Sequence, residues 1–220
     1  MLFYFFVNEK HTKVYNVGDS GAMIAKRIDD SSSFEIAPLT YDHTLDKEEE
    51  VDRILQRGGK VCSKSIIDDT NGNNDKYPII QEGPLRVWYR CTNIHNRNSM
   101  MGLAMTRSLG DAGAHKVGVS CEPYKFSKSL TKDDEFIVLA SDGIWDVISF
   151  EDAASMVNDY ITSLPPIQSK AEWDPQEAAN ILVTRARRKW SGATHIDDIT
   201  CVVIKLKQEN DDPCFISESI

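Results

Sequence analysis

An apolar run that ends on a carboxylate constrains this chain more than any other feature. Phe136-Ile-Val-Leu-Ala140 leads through Ser141 into Asp142-Gly143, and a second acid, Asp146, follows. A run this short, apolar and partly β-branched predicts a strand buried on both faces. Gly143 lets the backbone turn sharply beside the carboxylate. Far downstream, Asp197-Asp198 precedes Ile199-Thr-Cys-Val-Val-Ile204, a second strand-like run with its acids at the start rather than the end. If the two strands pair antiparallel, both sets of carboxylates lie at one edge of the sheet. His11 to Val17 reads as a third strand, ended by Gly18-Asp19. Asp19, Asp142 and Asp197 are therefore expected to share one pocket. Each alone fits an ordinary turn, since Asp accepts backbone hydrogen bonds and Gly supplies unusual dihedrals. Gathered, they repel unless protons or cations offset them, and hard divalent ions held through oxygen are the usual solution.

The bulk of the chain narrows the function classes. Its 220 residues, 41% hydrophobic, suffice for one sizeable core and do not require two domains. A net charge of −9 argues against a nucleic-acid partner, because phosphate backbones are bound by clustered Lys and Arg. Arg185-Ala-Arg-Arg-Lys189 is too short to reverse that and reads as a solvated helix face. Five cysteines without a Cys-x-x-Cys pair predict reduced thiols in an intracellular, cytoplasmic setting, and no paired spacing of Cys and His suggests zinc. Met1 to Val7 is apolar but lacks a basic flank and is far too short to span a membrane. It reads as a strand, turned by Asn8 to Lys10 into His11 to Val17.

Further along, Ala22 to Ala25 and Phe34 to Leu39 read as strands, with Ser31 to Ser33 a turn. Asp46-Lys-Glu-Glu49 suggests a capping box opening a helix whose apolar face is Val51, Ile54 and Leu55, ended by Gly58-Gly59. Cys62 to Met101 is irregular, and Asp68 to Asp75 has the composition of an exposed loop, without the terminal Glu and helical flanks of a calcium-binding hand. Two later helices are predicted: one capped at Ser149 to Asp152 and ended by Pro165-Pro166, the other opened by Asp174-Pro175, with Met156 and Trp190 as core residues. Gln208 to Ile220 is a polar tail. Two catalytic motifs fail. Gly18-Asp-Ser-Gly21 has only His11 upstream and no acid to orient it, so it is not a protease nucleophile. Gly58-Gly-Lys60 lacks the earlier glycine of a phosphate-binding loop. His43, with no partner identifiable in the sequence, reads as structural rather than as a proton shuttle.

Asn16-Val-Gly-Asp-Ser20, Gly102-Leu-Ala-Met-Thr-Arg-Ser-Leu-Gly-Asp111, Leu139-Ala-Ser-Asp-Gly-Ile-Trp-Asp-Val147 and Asp197-Asp-Ile-Thr200 occur in an order that resembles metal-dependent protein phosphatases of the PP2C type. Shorter matches at Asp42-His43 and Gly58-Gly59 support it. The resemblance implies an α+β fold, an α-β-β-α sandwich of two antiparallel sheets flanked by helices, over residues 1–207. It also implies hydrolysis of phosphoserine and phosphothreonine on proteins, with Mg2+ or Mn2+ in a two-metal centre. Asp142 and Asp197 match metal ligands, Asp19 and Asp146 match positions of a further metal site in some members, and Arg107 matches an arginine on the substrate side. Residues 62–101, with Trp88-Tyr-Arg90, correspond to a flap. Three departures stand out. Gly21 replaces a usual Arg, Asp198 replaces a usual Asn, and no Asp-Gly-His-Gly stretch, Glu-Asp pair or phosphate-binding arginine lies upstream. The chain is thus expected to start inside the domain, to hold an incomplete metal site and no catalytic residue of its own, and to offer an open sheet edge near its N-terminus to a protein partner. The alternative is an inactive phosphatase-like scaffold or subunit.

Overall fold

The computed structural model of the chain describes residues 2–8, 10–28, 34–67, 79–92, 98–165, 173–194 and 196–206. In order, the elements are β1 (Leu2–Val7), β2 (His11–Val17), β3 (Gly21–Arg27), β4 (Phe34–Pro38), α1 (Glu48–Gln56), β5 (Lys60–Ile67), β6 (Ile79–Thr92), β7 (Asn98–Leu103), α2 (Ala112–His115), β8 (Tyr124–Ser129), β9 (Asp134–Ala140), α3 (Asp142–Trp145), α4 (Phe150–Ser163), α5 (Pro175–Lys189) and β10 (Cys201–Lys205). They divide into two compact units, one of Met1–Phe3, Asn16–Asp19 and Tyr41–Tyr124, the other of Tyr4–Tyr15, Ser20–Thr40 and Lys125–Ile220. Antiparallel sheets accompanied by helices make the fold α+β, as the sequence predicts. No described helix is long and apolar enough to cross a membrane.

The larger unit is built around β9, which contains the apolar run Phe136 to Ala140. It lies inside a four-stranded antiparallel sheet of order β10-β9-β3-β4. Phe136 and Val138 face a core that includes Met23, Val157 and Leu182, so α4 and α5 cover that face. On the opposite face Ile24 and Ile137 are cross-strand partners and equally buried, so β9 is enclosed on both sides as expected. Ser149 caps α4, its hydroxyl accepting from Asp152 N at 3.0 Å. Asp174 caps α5 by accepting from Gln176 N at 2.9 Å, with Pro175 in the first turn. A second sheet, of order β1-β2-β8, has its hairpin fixed by the Asn8 side chain, which accepts from Lys10 N at 3.0 Å and His11 N at 2.7 Å. Along β2, Thr12 and Val14 are buried while His11 and Lys13 are exposed, the period of a half-covered strand.

The smaller unit departs from expectation in two places. Residues 62–101 are not irregular throughout: β5, β6 and β7 form a three-stranded antiparallel sheet. Gly83-Pro84 inside β6 argues against a strand, because proline cannot donate to a ladder. The register shows how it is accommodated, since Cys62 pairs with Arg86 and Lys64 with Glu82, leaving Gly83 to Leu85 opposite an irregularity. The other departure is α1. Its N-cap is Lys47 and makes no side-chain cap bond, so the predicted capping box does not form. Leu55, assigned to the apolar face, is 52% exposed, while Glu50 and Ile54 are buried. Those two stand one turn apart and share a face. The turn at Ser31 to Ser33, the loop Asp68 to Asp75 and the tail from Gln208 lie outside the described residues.

Candidate metal centre

The pairing of β9 with β10 settles where two of the acid-bearing segments go. The strands are antiparallel, with Ala140 opposite Cys201. The chain leaving β9 therefore meets the chain entering β10, and Ser141 N donates to Thr200 O at 3.1 Å. Asp142 and Asp197-Asp198 are placed at the same end of the sheet, as antiparallel pairing requires. Asp142 opens the short helix α3 and Asp146 closes it, with Asp146 N donating to Asp142 O at 2.8 Å. Partial withdrawal from water, and after it the charge of Asp197, push the Asp146 carboxyl above its ordinary value. Asp146 and Asp197, far apart in sequence, are thus electrostatic neighbours.

The turn from Asp142 to Asp146 is held through its backbone. Trp190 Nε1 donates to Gly143 O at 2.7 Å, and Lys189 Nζ donates to Val147 O at 2.6 Å. Trp145 Nε1 is shared between Ala140 O at 2.9 Å and Gly21 O at 3.0 Å. A Cβ on Gly21 would lie 2.8 Å from that indole nitrogen, so glycine at this position makes room for the Trp145 ring. A Cβ on Gly143 would lie 2.5 Å from Asp198 O, which explains the glycine beside the first acid. Helical spacing identifies Trp190 only as a core residue. The missed signal is chemical: a tryptophan withdrawn from water needs an acceptor for its N–H, and backbone carbonyls supply it.

Asp19 and Arg107 belong to the other unit. Asp19 is half-buried and follows Gly18, whose φ of +110° favours glycine. His43 braces this turn: its N–H donates to Gly18 O at 3.1 Å, and its ring Nδ1 lies 3.2 Å from Gly18 N and 2.9 Å from Gly18 O. Burial, followed by the charge of Arg107, lowers the pKa of His43 and favours the neutral ring. Nε2 is buried with no hydrogen-bond partner among the described residues, while the Nδ1 side meets the Gly18 backbone. Arg107 is drawn inward: Nη2 donates to Glu50 Oε1 at 2.5 Å, Nε to both Glu50 oxygens at 3.1 Å, and Nη1 to Glu122 O at 2.8 Å. Glu50, only 1% exposed, also accepts from Arg53 Nη2 at 2.7 Å and Thr106 Oγ1 at 2.6 Å. Burial alone would raise its pKa; the bonds from Arg53, Arg107 and Thr106 outweigh that and hold the carboxyl far below the usual range. Sequence reasoning missed Glu50, because nothing in a run of three glutamates marks which one turns inward.

In kind, these carboxylates suit a divalent cation: they are hard oxygen donors, and Asp146 already feels the charge of Asp197. In number they do not complete a site, for among the described residues no three His, Cys, Asp or Glu side chains stand together in a group able to hold an ion. Residues 3–194 match the family model described as Protein phosphatase 2C. Probable protein phosphatase 2C 12 of Oryza sativa subsp. japonica is 33% identical over 88% of this chain and 42% of its own length. Probable protein phosphatase 2C 61 of Arabidopsis thaliana is 32% identical over 91% of this chain and 52% of its own. The chain thus spans about half the length of the curated relatives it matches. A serine-threonine phosphatase 2C from Toxoplasma gondii shares the fold at a TM-score of 0.65 and 20% identity, over 91% of this chain and 56% of that one. The chain belongs to the protein phosphatase 2C family, whose members are phosphatases and generally metal-dependent.

Proposed function

We propose that this chain supplies one side of the site of a metal-dependent protein serine/threonine phosphatase. The observation that carries the proposal is the joining of β9 to β10, which gathers Asp142, Asp146 and Asp197 at one sheet end in a family of phosphatases. Asp142 and Asp197 would hold Mg2+ or Mn2+, with Asp19 and Asp146 at a further position. Such a cation would supply Lewis acidity, making water more acidic and offsetting charge on phosphoryl oxygens. The chain's own contribution is to fix its carboxylates: Trp145, Trp190 and Lys189 clamp the turn that carries Asp142 and Asp146. Arg107 is proposed for the substrate side, its guanidinium fixed by Glu50, which takes its Nε and Nη2. The substrate is a phosphoprotein, and β1, whose Tyr4 and Phe6 are 57% and 44% exposed, offers its edge to an extended strand of a protein partner. The acidic balance goes with a protein substrate rather than nucleic acid.

The test is phosphate release from a phosphothreonine peptide by the chain with Mn2+, and by its Asp142→Asn and Asp197→Asn variants. Turnover lost in both variants is the expected result. Turnover that is equal with and without chelator defeats the metal-dependent reading. The alternative is an inactive phosphatase-like scaffold or subunit of a larger assembly. Failure of the chain to bind Mn2+ in electron paramagnetic resonance, together with no phosphate release at any metal concentration, decides for that alternative.

A further inference from the structure

We propose that Ser141 is the positioning residue that sets the spacing between the Asp142–Asp146 turn and the Asp197-Asp198 segment. The ladder between β9 and β10 ends at Ala140 and Cys201, and residues 196–200 have no regular secondary structure. Beyond that last pair one backbone bond remains, from Ser141 N to Thr200 O at 3.1 Å, and the Ser141 side chain adds two more. Its hydroxyl donates to Asp198 O at 2.7 Å and accepts from Thr200 N at 3.1 Å. A serine oxygen offers one donor and two acceptor directions, so one small side chain serves a backbone carbonyl and a backbone amide together. The residue is 8% exposed, which keeps water from competing for either bond.

The choice of partners is the telling detail. Ser141 stands at the N-cap of α3, where a serine hydroxyl ordinarily accepts from an amide of its own first turn. Here it makes no such bond and reaches across to the other segment instead. Gly143 completes the approach from the same side, since a Cβ there would come within 2.5 Å of Asp198 O. The carboxylates of Asp142 and Asp197 are thereby set by the backbones on either side of one hydroxyl. The inference rests on the phosphatase reading for what the carboxylates do, and on the hydrogen bonds alone for how they are placed.

The experiment compares the full chain with its Ser141→Ala and Ser141→Thr variants by amide hydrogen exchange and by Mn2+ binding followed through electron paramagnetic resonance. In Ser141→Ala, exchange at Thr200 N–H should quicken about tenfold, as expected for one lost hydrogen bond. Its Mn2+ affinity should fall by about tenfold, the low end for loss of a group that orients ligands. Ser141→Thr keeps the hydroxyl and should stay within about twofold of wild type in both. Val138 N–H, inside the ladder, should be equally protected in all three. Wild-type values in Ser141→Ala, equal losses in Ala and Thr variants, or a loss of protection that extends to Val138 each overturn the proposal. If no form binds Mn2+ while Thr200 alone loses protection in Ser141→Ala, the tie stands and the metal reading falls.

Discussion

The two units differ in how much apolar core surrounds their buried charges. Among the described residues, the larger gathers seventeen apolar residues into one core against helices and a four-stranded sheet. The smaller gathers six and sets beside them a glutamate that is 1% exposed, tied to two arginines and a threonine. Apolar packing is tolerant, since many side chains of suitable volume fill a core. A buried carboxylate is not, because it must keep all its donors. Both units hold such a carboxylate, since Asp134 of the larger is 1% exposed and accepts from Lys128 Nζ at 2.7 Å. Glu50 has the smaller core around it, and its loss should therefore fall hardest on its own unit. Glu50→Ala leaves Arg53 and Arg107 without their carboxylate and should cost about 3–5 kcal/mol. In hydrogen exchange the loss should fall on α1 and residues 105–120, with β9 and α5 still protected. Equal loss of protection in both units would end the distinction.

The larger apolar core should respond to volume. Leu182 of α5 is fully buried, and Leu182→Ala should cost about 3 kcal/mol through lost burial and the cavity left behind. Leu182→Met, which nearly conserves volume, should cost less than about 1.5 kcal/mol. Urea unfolding of the two variants measures the difference, and equal costs would show that volume does not govern this core.

Acid sharpens the contrast further. The folded pKa of Glu50 is depressed, so its contribution is fully present above the unfolded value of about 4.3 and is lost as pH falls toward the folded one. Glu50→Gln, which keeps the shape but not the charge, should be less stable than wild type at pH 7, and the gap should narrow below about pH 4. Parallel pH profiles for the two proteins would show that the carboxylate is not what the hub depends on.

The same contrast explains what the sequence discloses. Runs such as Phe136 to Ala140 carry their own period and composition, so β9, β10, α4 and α5 are legible from the chain alone. So is the sheet end shared by Asp142 and Asp197, because antiparallel pairing of one strand that ends in acid with one that begins in acid leaves no other place for them. Glu50, Ser141 and Trp190 are not legible in their roles, since each acts through a partner dozens of residues away. Asp19 lies in the unit other than that of Asp142, Asp146 and Asp197, and its place in the centre is a proposal. β6 was hidden by Gly83-Pro84, whose strand-breaking character holds for a regular ladder and not for a bulge.

The smallest effect tests whether local signals add to the large unit's packing or merely accompany it. Ser149 accepts from Asp152 N at 3.0 Å and so meets one of the four backbone donors that the start of α4 leaves unpaired. Ser149→Ala should cost about 1 kcal/mol, and Ser149→Asp should recover most of it, because aspartate caps as well and its charge favours a helix N-terminus. Both are read from the midpoint of urea unfolding at constant slope. A cost near that of Leu182→Ala would mean that the cap organises α4 before its apolar face docks. A cost of about 1 kcal/mol means that burial of Val157 and Ile161 does most of that work and the serine only fixes where the helix begins.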